Sequence, residues 1–250
     1  MQYELKSQLR KIEIKERQWL RKSDSYGALK EKLYEKVPPA LDKTLQAAFE
    51  KAFSLLFLKG RGLVEFTFDK KGLEREFAGR DILAAKTRDT KHIKSMEKRL
   101  NHSQRVNNFV TTLSGVSMGI MGMGLPDIPM FAATVLKGVY EIAAGYGIDY
   151  TQSEEQVYIL RLIRCALVNG DERVRLFRML DSPTEDGASV PDEIALTSAA
   201  LADALLVEKF VQGVPIVGAV GGLVNNRVYS RISALATMKY KKRYLLSKLI

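Results

Sequence analysis

Apolar residues recur every three to four positions along most of this 250-residue chain, the period of an α-helix with one buried face. Leu5, Leu9, Ile12, Trp19 and Leu20 stand at that spacing among lysines, arginines and glutamates, which predicts an amphipathic N-terminal helix with Trp19 as a packing anchor. A break follows at Ser23–Gly27. A helix is expected over Ala28–Lys36, ending before Pro38-Pro39, and another over Leu41–Phe57, with Leu41, Leu45, Ala48 and Ala52 on one face. Leu55-Leu56-Phe57-Leu58 is apolar on every side and is expected to be deeply buried. Val64, Phe66 and Phe68 alternate as in a strand, but the run is short and lacks a partner, so Leu63–Phe68 is read as extended or helical. Residues 72–105 return to the helical pattern.

The middle of the chain changes character. Val106–Pro126 holds no charged residue, and Gly115, Gly119, Gly122 and Gly124 are spaced so that several share a helix face, which lets a second backbone come close. Pro126 and Pro129 push their predecessors out of the helical region. A new helix is expected with Asp127 as N-cap and Pro129 in its first turn, stopping at Gly145-Tyr146-Gly147. Beyond it the pattern predicts helices over Gln156–Val168, Asp171–Leu180 and Glu193–Phe210, with Ser182–Pro191 as a loop. Phe210–Asn226 is again uncharged and glycine-rich, and Arg227–Ile250 is a basic helix. The fold class that follows is all-α: a compact multi-helix domain (28–250) with two glycine-rich apolar segments packed centrally, preceded by a helical extension (1–27).

Several of these stretches resemble one known family. GLPDIPMFAATVLKGVYEIAAGYGID (124–149) is similar to the central signature of the EcsC protein family: a G-L-P-D-x-P-like corner, a basic residue, then E-I-A-x-x-Y-G-x-D. VQGVPIVGAVGGLVNNRVYSRI (211–232) is similar to its later glycine-rich segment, and Lys36-Val37-Pro38 and YILRLIRCAL (158–167) also fit. Lys137 stands where many relatives are expected to carry arginine, which removes a bidentate guanidinium from that position. The family takes its name from a protein encoded beside an ABC transporter in bacteria. The resemblance therefore implies a bacterial protein with a link to a membrane process, and no particular activity.

Charge sharpens the picture. The net charge is +10, distributed as +4 over residues 1–36, +1 over 37–85, +5 over 86–105, −7 over 106–226 and +7 over 227–250. Basic flanks around an acidic middle point to intramolecular complementarity or to a positive surface for an anionic partner. The cations available for such contact in the last helix are Arg227, Arg231, Lys239, Lys241, Lys242, Arg243 and Lys248. Cys165 is the single cysteine, so no intrachain disulfide can form. The charged N-terminus has no apolar signal core, and a cytoplasmic location is expected.

The residues with chemical potential are Asp127, Lys137, Glu141 and Tyr146 in the signature, with Arg161 and Arg164 as candidate counter-charges. Asp127 and Glu141 are fourteen residues apart, about 21 Å along one helix, too far to share a metal or one scissile bond. Lys137 and Glu141 have the spacing of a helical salt bridge. Glu141 opposes the helix dipole and needs a partner, for which Arg161 or Arg164 would serve. Both arginines could also meet Glu154 and Glu155. His92 and His102 lack the spacing of a zinc site, and Lys59-Gly60-Arg61-Gly62 lacks the context of a phosphate loop. No catalytic residue, metal or cofactor is assigned.

The expected role is a non-catalytic accessory or regulatory protein, peripheral at the inner face of the cell membrane, with an anionic membrane surface or a membrane protein such as an ABC transporter as partner. The uncharged segments are about as long as a bilayer is thick, but their polar residues and Pro215 favour close-packed core helices. Nucleic acid is a weaker candidate because no recognition helix or stacking series is evident. The alternatives are a hydrolase-type enzyme at the membrane with a site around Asp127 and Glu141, and a soluble protein-binding scaffold.

Overall fold

The computed structural model describes residues 2–21, 37–58, 61–65, 67–87, 127–182, 187–211 and 225–249. Among them the regular elements are all helices: α1 (Gln2–Arg21), α2 (Pro39–Leu58), α3 (Arg61–Glu65), α4 (Lys70–Thr87), α5 (Asp127–Gly145), α6 (Ser153–Leu167), α7 (Gly170–Asp181), α8 (Val190–Val211) and α9 (Asn225–Ser247). The all-α, multi-helix expectation is met. The first uncharged glycine-rich segment, residues 212–224 of the second, the helix expected at Ala28–Lys36, and both histidines lie outside the described residues.

Local chemistry explains where the helices begin and end. α2 starts on Pro39, whose missing N–H is harmless in a first turn. Asp69 accepts a hydrogen bond from the Gly72 amide at 2.8 Å and caps α4. Ser189 accepts one from the Asp192 amide at 3.3 Å and starts α8. Arg61–Glu65 is a short helix, in keeping with the extended-or-helical reading of that run. Without a neighbouring strand, an alternating run has nothing to satisfy its backbone groups.

Packing closes on itself. α2 lies against α8, α8 against α6, α6 against α9, α9 against α5 and α5 against α2. α4 covers α5, α7 covers α6, and α1 lies along α9. α5 is buried on nearly every side, from Ile128, Phe131 and Ala132 to Tyr140, Ile142 and Ala143, as suits a helix surrounded by others. Phe49, Phe53 and Phe57 form a ladder of rings along α2, with Phe131 edge-on to Phe49 at 6.2 Å. Of the apolar run at the end of α2, Phe57 is buried while Leu55 and Leu56 are half-buried. The helix has an outer side even there.

α9 crosses α5 closely. A Cβ on Gly138 would stand 2.5 Å from the Tyr229 hydroxyl, so glycine is what lets that ring lie on α5.

Candidate functional site: buried charges between the helices

The second half of the signature is the corner between α5 and α6. Gly147 adopts φ +72°, its amide bonds to the Ala144 carbonyl at 3.0 Å, and the Ile148 amide reaches back to Ala143 at 2.9 Å. This is the Schellman ending that the glycines foretold, at the second of the pair. Phe77 of α4 lies against Gly147, where a Cβ would stand 2.2 Å from the ring. Asp149 then accepts hydrogen bonds from the Gln152 side chain and the Thr151 amide, both at 3.0 Å. Those bonds, the Gln152 one foremost, hold its carboxyl down at about 2. Tyr150 stacks on Tyr140 with centroids 4.3 Å apart. Tyr146 is buried near Tyr244, 6.0 Å between rings. The Y-G-x-D portion of the motif is thus a turn with its supports.

The charged candidates are distributed over several helices. α5 runs unbroken from Asp127 to Gly145, so Asp127 and Glu141 keep the separation of about 21 Å derived from their spacing. α5 begins at Asp127, within a residue of the expected cap; the Asp127 side chain is outside the described residues. Lys137 and Glu141 form the expected i, i+4 ion pair at 3.6 Å, mostly shielded from solvent.

Arg161 and Arg164 meet at Glu193, in the first turn of α8. Arg161 Nε donates to Glu193 Oε1 at 2.8 Å, and Arg164 Nη1 lies 3.2 Å from Oε2. Glu193 is 4% exposed and Arg164 2%, so two guanidiniums and one carboxylate are held together away from water. Burial lowers the Arg164 pKa, with Glu193 and the half-exposed Glu172 working the other way. One turn further along α8, the Thr197 hydroxyl donates to the Leu160 carbonyl at 3.1 Å and fixes the register of α8 on α6.

The C-terminal helix turns much of its charge inward. Lys239 is 1% exposed, with its ammonium 2.7 Å from Asp181 Oδ1, 2.8 Å from Glu16 Oε1 and 3.6 Å from the Phe177 ring centroid. Lys242 reaches the same acids at 2.7 and 2.9 Å. Burial opposes its charge, yet the bonds to Glu16 and Asp181 outweigh that and raise its pKa. Arg243 grips Glu155 through two bonds of 2.7 and 2.8 Å, while the Tyr240 hydroxyl donates to Glu155 Oε1 at 2.7 Å. Burial again works against the guanidinium, and Glu155 more than compensates, leaving Arg243 above its ordinary value. Lys248 lies 2.7 Å from Asp81, which also accepts from the Tyr244 hydroxyl at 2.9 Å. Arg227 is exposed, whereas Arg231 and Lys241 are half-buried. Of the seven cations assigned to an anionic partner, at least four are therefore engaged with acids of α1, α4, α6 and α7.

Sequence spacing did not reveal Glu16, Glu155, Asp181 or Glu193 as the partners of these cations, because each sits on a different helix from the cation it holds. Arg173 was missed as well. Its guanidinium donates to the Val168 carbonyl at 2.7 Å, to the Trp19 carbonyl at 3.3 Å and to the Asn169 side chain, joining the ends of α6 and α1. Cys165 is buried beside this region and burial pushes its thiol up to about 12, so it is a packing residue and not a nucleophile at neutral pH. Among the described residues, no cluster of histidine, cysteine or acidic side chains is arranged to hold a metal ion. No helix among them is long and apolar enough to cross a membrane.

These features define an all-helical protein whose helices are joined by buried ion pairs, with a glycine-capped corner at its centre. The chain belongs to the EcsC protein family, whose model matches residues 3–245. Among curated proteins it is similar to Protein EcsC of Bacillus subtilis (strain 168), with 25% identity over 181 residues, covering 70% of this chain and 75% of the relative. No solved structure matches it.

Proposed function

We propose that this EcsC-family protein is a non-catalytic accessory protein, held peripherally at the inner face of a bacterial cell membrane and acting beside a membrane machine of the transporter kind. The observation that carries this reading is the use to which the motif's charges are put. Lys137 and Glu141 pair along α5, and Arg161 and Arg164 close on Glu193. A buried carboxylate already engaged with a cation is poorly placed to accept or deliver protons for a substrate. The sequence contributes the other half. With 39 basic and 29 acidic side chains, pairing every acid with one cation would still leave an excess of +10, which favours an anionic partner.

Flotation of the folded full-length protein with vesicles tests the proposal. Binding is expected to vesicles containing anionic lipid at low salt, to weaken as salt rises, and to be slight on zwitterionic vesicles. Absence of binding to anionic vesicles at low salt overturns it.

A further inference from the structure

Leu5, Gln8, Ile12 and Glu16 face inward from α1, which lies along α9. At 100° per residue, the direction away from that stripe falls on Tyr3, Arg10, Ile14, Arg17 and Arg21, with Lys6 alongside. All six side chains are exposed, Tyr3 to 88% and Ile14 to 44%. Lys6, Arg10, Arg17 and Arg21 thus make one outward line about 22 Å long, with an aromatic ring and an aliphatic side chain set into it. Lys11 and Lys15 are exposed on the flank, and Glu13 is the acid nearest the line.

We propose that this outer face of α1 is the surface that rests on an anionic phospholipid bilayer. The inference depends on the peripheral-membrane reading above and names its contact surface. The last helix, which the charge count first pointed to, has Lys239 and Lys242 engaged with the buried Glu16 and Arg243 with the buried Glu155. α1 presents its cations to the outside. Each such cation near an anionic surface adds to the attraction. Ile14 and Tyr3 are exposed on the same face, where they can enter the headgroup boundary; a phosphodiester backbone would give Ile14 nothing to bury against. The helix is fixed from behind, Glu16 by Lys239 and Lys242 and the Trp19 carbonyl by Arg173, so the face is held in place before any contact is made.

The experiment is flotation of the full chain on phosphatidylcholine vesicles with and without roughly one-third phosphatidylglycerol. The proteins are the wild type, a Lys6→Gln/Arg10→Gln/Arg17→Gln/Arg21→Gln variant, an Ile14→Ser variant and an Arg227→Gln control on α9, each shown to be folded by its thermal transition. The four-site change is expected to reduce binding to anionic vesicles by at least about tenfold, Ile14→Ser by a smaller factor, and Arg227→Gln hardly at all. A folded four-site variant that floats like the wild type overturns this surface while leaving the membrane reading intact. A wild type that does not float removes both. Retention on a DNA duplex, lost in the four-site variant and unaccompanied by vesicle binding, would assign the face to nucleic acid and overturn the lipid proposal.

Discussion

α1 and α9 are both rich in lysine and arginine, lie side by side, and use their cations in opposite ways. On α9, Lys239, Lys242 and Arg243 meet acids from three other helices, so much of its charge is part of the packing. On α1, Lys6, Arg10, Arg17 and Arg21 point away from the helix that α1 packs on. A cation held by a buried acid is a fastener; one on an outer face is available to a partner. Charge counted along a sequence does not distinguish the two uses, because the distinction depends on which helices become neighbours.

That contrast can be broken most severely at Glu193. Glu193→Ala leaves Arg161 and Arg164 buried without the carboxylate they share, and is expected to cost about 3–5 kcal/mol, read as a drop in the denaturant midpoint. A loss below about 1 kcal/mol would mean that water reaches these guanidiniums and that the inward charges are not truly buried.

Raising the pH is a gentler test of the inward side. Cys165, Tyr158 and Tyr240 are all held above their ordinary values, chiefly by burial, and Lys242 by its bonds to Glu16 and Asp181. A raised pKa means the folded chain keeps its proton where the unfolded chain has lost it. The resulting stability is fully present below the unfolded pKa and is lost as pH rises. Cys165 gives the first window, from its unfolded 9.0 towards about 12, and the tyrosines join from 10.0. Stability, read from the thermal midpoint, is expected to fall from about pH 9 upward, by on the order of 1 kcal/mol for each pH unit from Cys165 alone. A midpoint that holds steady over that range would show these groups to be solvated.

The smallest effect belongs to the outer side. The four-site change on α1 is expected to alter folding stability by no more than about 0.5 kcal/mol per site, measured by the same denaturation. A larger loss would place those cations in the packing, and the difference between the two helices would disappear.

What could be read in advance follows the range of the interactions. The ending of α5 at Gly145-Tyr146-Gly147 was legible because a left-handed glycine is a local requirement, and the Lys137–Glu141 pair because both residues lie on one turn-spaced face. The amphipathic character of α1 was legible for the same reason. Arg161 and Glu193 are 32 residues apart, and Lys242 and Glu16 are 226 apart; neither pair follows from a helical period. Their meeting depends on how α6, α8, α1 and α9 are arranged, which no spacing rule supplies. The alternation at Leu63–Phe68 was rightly not taken for a strand, since a period of two has meaning only when another strand is beside it, and Arg61–Glu65 is helical.

Arg173 carries one more consequence. A single guanidinium serves the last turn of α1 and the turn between α6 and α7, through the Trp19 and Val168 carbonyls. The two bonds share one side chain, so a pull on the first helix by whatever it rests against acts through Arg173 on the turn between α6 and α7. The two places share one hinge pin.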